Sequence, residues 1–232
     1  MTVLYELELS NRRIPFNILL KPVPAFNLSS RNTALLISDM QKLTVDKNGG
    51  WSKLMRLKGV SSEFEDYHAH LKRAVKNTRK ILTKCRQLGI KIIFTRIVSQ
   101  TKDGTDIGRQ ISVWDKDFPY DPDDETLSFT NEKKEIVLDK LCSNPFNCTF
   151  LEDLLKEMGI KYLIVCGVRT PGYLNALAFD AADRDFGVIV VSDASAGGVS
   201  NGTRRLTGGL IRVRNSQATL ELLEDVVEGV LE

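Results

Sequence analysis

Five short apolar runs punctuate this chain and constrain its fold more than any other feature: 33–38 (TALLIS), 91–95 (KIIFT), 135–138 (EIVL), 162–165 (YLIV) and 187–191 (GVIVV). Each is of strand length, rich in β-branched residues, and apolar at consecutive rather than alternate positions. A strand covered on one face alternates, whereas one covered on both faces does not. Covering both faces takes helices above and below the sheet, and parallel neighbours need helical crossovers between them.

The intervening segments supply those helices. Ser62 and Glu65 form a capping-box pair, apolar residues recur at Leu71, Ala74, Val75, Leu82 and Leu88, and Gly89 supplies a stop, which predicts a helix over 63–88. Thr149 and Glu152 repeat the pattern before Leu151, Leu154, Leu155 and Met158, with Gly159 as the stop. A third helix is expected over 172–184, opened by Pro171. A fourth is expected over 216–231, with Leu220, Leu223 and Val227 on one face. Strand and helix in alternation predict a Rossmann-like open, mostly parallel α/β sheet with helices on both faces. Residues 1–32, broken by Pro15, Pro22 and Pro24, read as an extended arm, and 33–232 as a single domain.

Composition narrows the function classes. With 32 Lys plus Arg against 30 Asp plus Glu, the net charge of +2 is too balanced for sequence-independent nucleic-acid binding. No apolar stretch approaches the roughly 20 residues of a membrane span, and the N-terminus MTVLYELELSNRR lacks a signal peptide's apolar run. A cytoplasmic protein is expected, with Cys85, Cys142, Cys148 and Cys166 as reduced thiols. Cys142 and Cys148 lack zinc-ligand spacing. His68 and His70 both fall in the first helix, where positions two apart point about 200° apart, so no metal or other cofactor is expected.

Ligands of open α/β sheets bind beyond the carboxyl ends of the strands. The residues there are Asp39 after the first run, Arg96 after the second, Lys140 after the third, Arg169, Thr170, Gly172 and Tyr173 after the fourth, and Asp193 after the fifth. An acid and an amine brought to one rim by neighbouring strands favour each other's charged forms and can hold a proton donor or acceptor near a substrate. Taken singly, each also suits a solvated cap or surface ion pair, and Tyr173 suits partly buried packing. Cys166 and Cys85 read as core residues. The long polar segment 101–134, with Gly104, Gly108, Pro119 and Pro122, is of a length that usually covers a site or an interface.

The strings TALLISDMQ, EIVLDKLCSNPFNCTFLEDLLKEMGIKYLIVCGV, Thr170 to Ala181 as T-x-G-x-x-x-x-A-x-D-A, and VIVVSDASAGG resemble the isochorismatase-like cysteine hydrolase superfamily over roughly 33–200. That resemblance implies a Rossmann-like α/β fold and a small-molecule ligand. The superfamily includes nicotinamidases, isochorismatases, and N-carbamoylsarcosine, ureidoacrylate and biuret amidohydrolases. Its amidohydrolases use an Asp after the first strand, a Lys after the third and a Cys opening the helix after the fourth. Asp39 falls on the Asp, with Gln41 completing D-x-Q, and Lys140 falls on the Lys, six residues before the aromatic Phe146. The cysteine position is Tyr173.

Amide hydrolysis through an acyl-enzyme needs a thiolate, and a phenol with a pKa near 10 is a poor replacement. Arg96, Arg169, Thr170, Gly172, Gln41 and Phe146 remain candidate ligand contacts, with the Gly172 and Tyr173 N–H groups as donors at a helix start. Three readings follow. One is a thiolate-independent hydrolase, for example of a vinyl ether, with Asp39 as acid and Lys140 as its partner; the GxxAHxG signature of such members is GVRTPG here. Another is a catalytically silent relative serving as a small-molecule or protein binding module. The third is an amidohydrolase with a relocated thiol, Cys148 or Cys142. The resemblance also implies a homo-oligomer, dimer or tetramer, for which the apolar arm residues Phe16, Ile18, Leu19, Leu20 and Phe26 are candidate contacts.

Overall fold

The structure, a computed structural model, describes residues 6–9, 12–15, 24–60, 65–107, 121, 123, 127–129, 132, 135–170, 172–197 and 209–226. Within them lie strands β1 (Glu6–Leu9), β2 (Arg12–Pro15), β3 (Thr33–Ser38), β4 (Lys91–Ile97), β5 (Ile136–Lys140), β6 (Tyr162–Val168), β7 (Gly187–Ala196) and β8 (Ile211–Arg214). The helices are α1 (Lys42–Val45), α2 (Gly50–Leu57), α3 (Glu65–Gln87), α4 (Pro145–Cys148), α5 (Leu151–Glu157), α6 (Tyr173–Asp183) and α7 (Ser216–Glu224).

Strands β3 to β8 form one sheet in the order β5-β4-β3-β6-β7-β8, every neighbouring pair parallel. The sheet grows outward from β3 in one direction and from β6 in the other, so the crevice between their carboxyl ends is where a doubly wound sheet takes a ligand. The consecutive apolar residues divide between two cores. Leu35, Ile37, Phe94, Ile164, Cys166 and Ile189 pack against Leu71, Ile81 and Leu82 of α3 and Leu223 of α7. Leu36, Ile93, Leu138, Leu163, Val165 and Val190 pack against Leu151 and Leu155 of α5 and Leu174 and Leu177 of α6. Burial on both faces is what the unbroken runs require.

Several local expectations change. Helix α3 is described from Glu65, and its expected start with Ser62 lies outside the described residues. Thr149 does not cap an N3 amide; its hydroxyl accepts from Leu151 N–H and donates to the Pro145 carbonyl, and Glu152 pairs with Lys156 and Arg184 instead. Helix α6 opens at Tyr173, with Pro171 outside the described residues, and α7 ends at Glu224, with Asn215 accepting from Ala218 N–H at its start.

Strand β8 has no apolar run because its sequence, IRVR, alternates at a sheet edge. The arm contains the antiparallel hairpin β1–β2. Phe26 turns back onto this chain's own sheet, its ring 5.2 Å from Tyr162 and under the Arg212 guanidinium at 4.9 Å. Phe16, Ile18, Leu19 and Leu20 lie outside the described residues.

Candidate active site

Asp39 follows the last residue of β3 and Lys140 ends β5, two strands away; the chain path and sheet order bring them together. The Lys140 ammonium donates to Asp39 Oδ2 at 2.8 Å, and the side chains are 0% and 2% exposed. Asp39 takes a left-handed backbone, φ 54°, which Asp tolerates better than most residues. Its N–H donates to the Thr95 carbonyl at 3.1 Å, and its own carbonyl accepts from Gln41 N–H at 2.9 Å and the Thr44 hydroxyl at 2.6 Å. The Thr95 hydroxyl donates to Asp39 Oδ1 at 2.7 Å, so both carboxylate oxygens are engaged.

An ammonium has three protons to give. Lys140 places the other two on the Cys142 and Ser143 carbonyls, at 2.8 and 3.2 Å. A buried charge pair is tolerable only when the remaining donors and acceptors are met as well, and here the segment just beyond β5 meets them.

That segment corrects one expectation. Cys142 and Cys148 are joined in a disulfide, so they are not reduced thiols and neither is a relocated nucleophile in this state. Their spacing brackets the one-turn helix α4, which bends the chain back on itself. Cys85 and Cys166 are free and buried among apolar side chains; burial pushes the Cys85 thiol up to about 12 and the Cys166 thiol up as well.

The remaining sequence candidates divide. Tyr173 opens α6 at the same end of the sheet, 8% exposed, with its hydroxyl sealed from solvent. Arg169, following β6, stacks over Trp51 at 4.7 Å and over Tyr173 at 5.6 Å. Burial raises the Tyr67 phenol on α3, and the Arg169 charge partly offsets that rise. Thr170 is buried, its N–H donating to the Ala196 carbonyl of β7, and Gly172 caps α6 with its carbonyl accepting from Ala176 N–H.

Gln41 acts as a strand end: its amide nitrogen donates to the Ile97 carbonyl and its oxygen accepts from Ile97 N–H, both at 2.8 Å. Arg96 forms a two-pronged ion pair with its cross-strand neighbour Asp139, at 2.5 and 3.0 Å. Phe146 is a core residue against Phe186, under Arg184. Asp193 lies inside β7 rather than beyond it, and its carboxylate accepts from Asn77 of α3 and from Ser216 of α7.

Sequence reasoning missed Thr95, Thr44, Trp51 and Tyr67. Thr95 had a usable signal, since it closes the second apolar run level with the first. The described part of the 101–134 segment returns to this rim: Ser128 N–H donates to the Met40 carbonyl at 2.9 Å, Leu127 bridges to Gln41, and Asp121 pairs with Lys53 of α2. Among the described residues no group of His, Cys, Asp and Glu could hold a metal, and His68 and His70 both sit on α3.

Residues 33–211 match the isochorismatase domain family model. A probable inactive nicotinamidase of Arabidopsis thaliana is 25% identical over 179 residues, covering 72% of this chain and 81% of that protein. A cysteine hydrolase from Pseudomonas syringae pv. phaseolicola superposes with a TM-score of 0.70 at 23% identity, covering 88% of this chain and 98% of the other. The N-carbamoylsarcosine amidase of Thermoplasma acidophilum does so at 0.62 and 21%, covering 85% and 99%. With six parallel strands in this order, an acid and an amine joined at the carboxyl end of the sheet, and a family match over most of its length, the chain belongs to the isochorismatase family.

Proposed function

We propose that this protein is a catalytically silent member of its family, a scaffold that binds a small molecule at the β3–β6 crevice rather than hydrolysing amides. The observation that carries this reading is the internal engagement of the Asp39–Lys140 pair. All three ammonium donors and both carboxylate oxygens are engaged inside the protein. The Asp39 carboxylate is held on one side by the Lys140 ammonium and on the other by the Thr95 hydroxyl. An ammonium with every proton engaged must break a buried hydrogen bond before it gives one up.

The resemblance puts the family's nucleophile at position 173, where the side chain is a buried phenol. The two free thiols are held protonated in the core. The Arabidopsis relative, whose name marks it as inactive, is consistent with this reading. Binding retains a basis in the partly buried Arg169 between Trp51 and Tyr173, a cation flanked by aromatic faces at the rim.

The test is turnover by purified protein of a panel of amides, ureides and vinyl ethers, beside the Asp39→Asn variant. Wild-type rates equal to the variant's and to background are expected. Turnover well above background that Asp39→Asn abolishes would establish the thiolate-independent hydrolase instead.

A further inference from the structure

The disulfide and the charged centre share a backbone segment. Lys140 ends β5, and its ammonium is held by the carbonyls of Cys142 and Ser143, two and three residues further on. The Cys142–Cys148 bridge closes this stretch into a ring. Inside the ring, Asn144 accepts from Phe146 N–H through its side chain and donates to Asp180 of α6 at 2.7 Å. Its backbone carbonyl lies 3.1 and 3.5 Å from the two sulfurs. One short covalent loop therefore fixes two of the three acceptors of a buried ammonium and is tied to the helix that Tyr173 opens. A loop this short restricts the unfolded chain less than a long one would, and in the folded state the bridge acts locally, on the backbone that holds the ammonium. The bridge is also reachable, because Cys148 is exposed and Cys142 is partly so.

We propose that Cys142 and Cys148 form a thiol-addressable redox site whose oxidised state clamps the Lys140–Asp39 centre. The co-reactant is a small dithiol. Its thiolate attacks the sulfur of Cys148, the more exposed residue of the two, the S–S bond breaks, and Cys142 leaves as a thiolate that takes a proton from water. The dithiol's second sulfur then attacks its own sulfur in the mixed disulfide, closing a cyclic disulfide and releasing Cys148 as a thiolate, which is protonated in turn. The protein gains two electrons and two protons, and the dithiol loses the same. Opening the ring frees residues 142 and 143 to turn their carbonyls away, so the ammonium and with it Asp39 lose their fixed positions. This inference does not rest on the protein being silent or active, and neither measurement below reads turnover.

The test is performed on folded protein with dithiothreitol and with glutathione. After native dithiothreitol treatment, alkylation with mass spectrometry is expected to label Cys142 and Cys148 and spare Cys85 and Cys166; brief glutathione treatment is expected to place the mixed disulfide on Cys148. Amide exchange is expected to speed up at least about tenfold in 141–149 and also in 39–45, on the separate strand end that carries Asp39. The Cys142→Ser/Cys148→Ser double variant is expected to exchange like the reduced protein and to show no response to dithiothreitol. A bridge that resists native reduction, glutathione found on Cys142, or faster exchange confined to 141–149 with 39–45 unchanged would each overturn the proposal.

Discussion

Between Asp39 and Lys140 the energetic stakes are asymmetric. Removing one partner strands a buried charge, whereas replacing both leaves two neutral groups in a closed space. Asp39→Asn and Lys140→Met are each expected to lower unfolding stability by roughly 3–5 kcal/mol, and the double variant by clearly less than their sum, with at least ~2 kcal/mol of coupling. Urea denaturation of the four proteins measures this, and additive losses would show that the pair is not interacting as its geometry indicates. At this scale the two charged residues were legible in the sequence because each stands at the carboxyl end of a strand, Asp39 just past β3 and Lys140 as the last residue of β5. The companions were not: the Cys142 and Ser143 carbonyls belong to backbone, which has no sequence signature, and the disulfide depends on how α4 folds the chain back.

Elements are joined here by carboxylates of very different worth. Asp193 of β7 receives the Asn77 amide of α3 and both the N–H and hydroxyl of Ser216 at the start of α7, at 2.6 to 3.0 Å. Asp139 of β5 receives Arg96 of β4 at about a third exposure. Water competes more for the second than for the first, whose partners Asn77 and Ser216 are buried. Asp193→Ala is expected to cost about 2–3 kcal/mol and to speed amide exchange in α7, whereas Arg96→Ala is expected to cost under about 1 kcal/mol. Equal losses in denaturant titrations would contradict that ranking. The sequence placed Asp193 and Arg96 at one rim, but only the tertiary structure separates a tie between helices from a surface pair. Close approach of elements was equally hidden: a Cβ on Gly167, φ 141°, would lie 2.3 Å from the Ser38 carbonyl, so β6 can pass β3 at the crevice only with glycine there.

Across the whole molecule, the two core layers set how the protein answers alkali. Cys85, on the buried face of α3, packs in the layer between that helix and the sheet, and burial raises its thiol to about 12 from an ordinary 9.0. Below the ordinary value the thiol is protonated in both states; above it the unfolded chain ionises and the folded one does not. Stability is therefore expected to fall as pH rises from about 9 toward 12, at roughly 1.4 kcal/mol per pH unit from this group, and Cys85→Ala is expected to flatten that slope. Parallel slopes for wild type and variant in urea titrations on both sides of pH 9 would refute the assignment. The doubly covered sheet behind this response was written in the sequence, because burial on both faces forces apolar residues into consecutive positions, a pattern that survives without knowledge of neighbours. Edge strand β8 escaped, since an edge permits arginines at alternate positions. The amino-acid order alone determined the five apolar strands, the helices between them and the rim on which Asp39, Lys140 and Tyr173 fall, all consequences of local period and chain direction. Only the tertiary structure decided that the amine is engaged by the acid and by two backbone carbonyls, and the acid by the amine and a threonine hydroxyl, because such hydrogen bonds join atoms converging from distant parts of the chain.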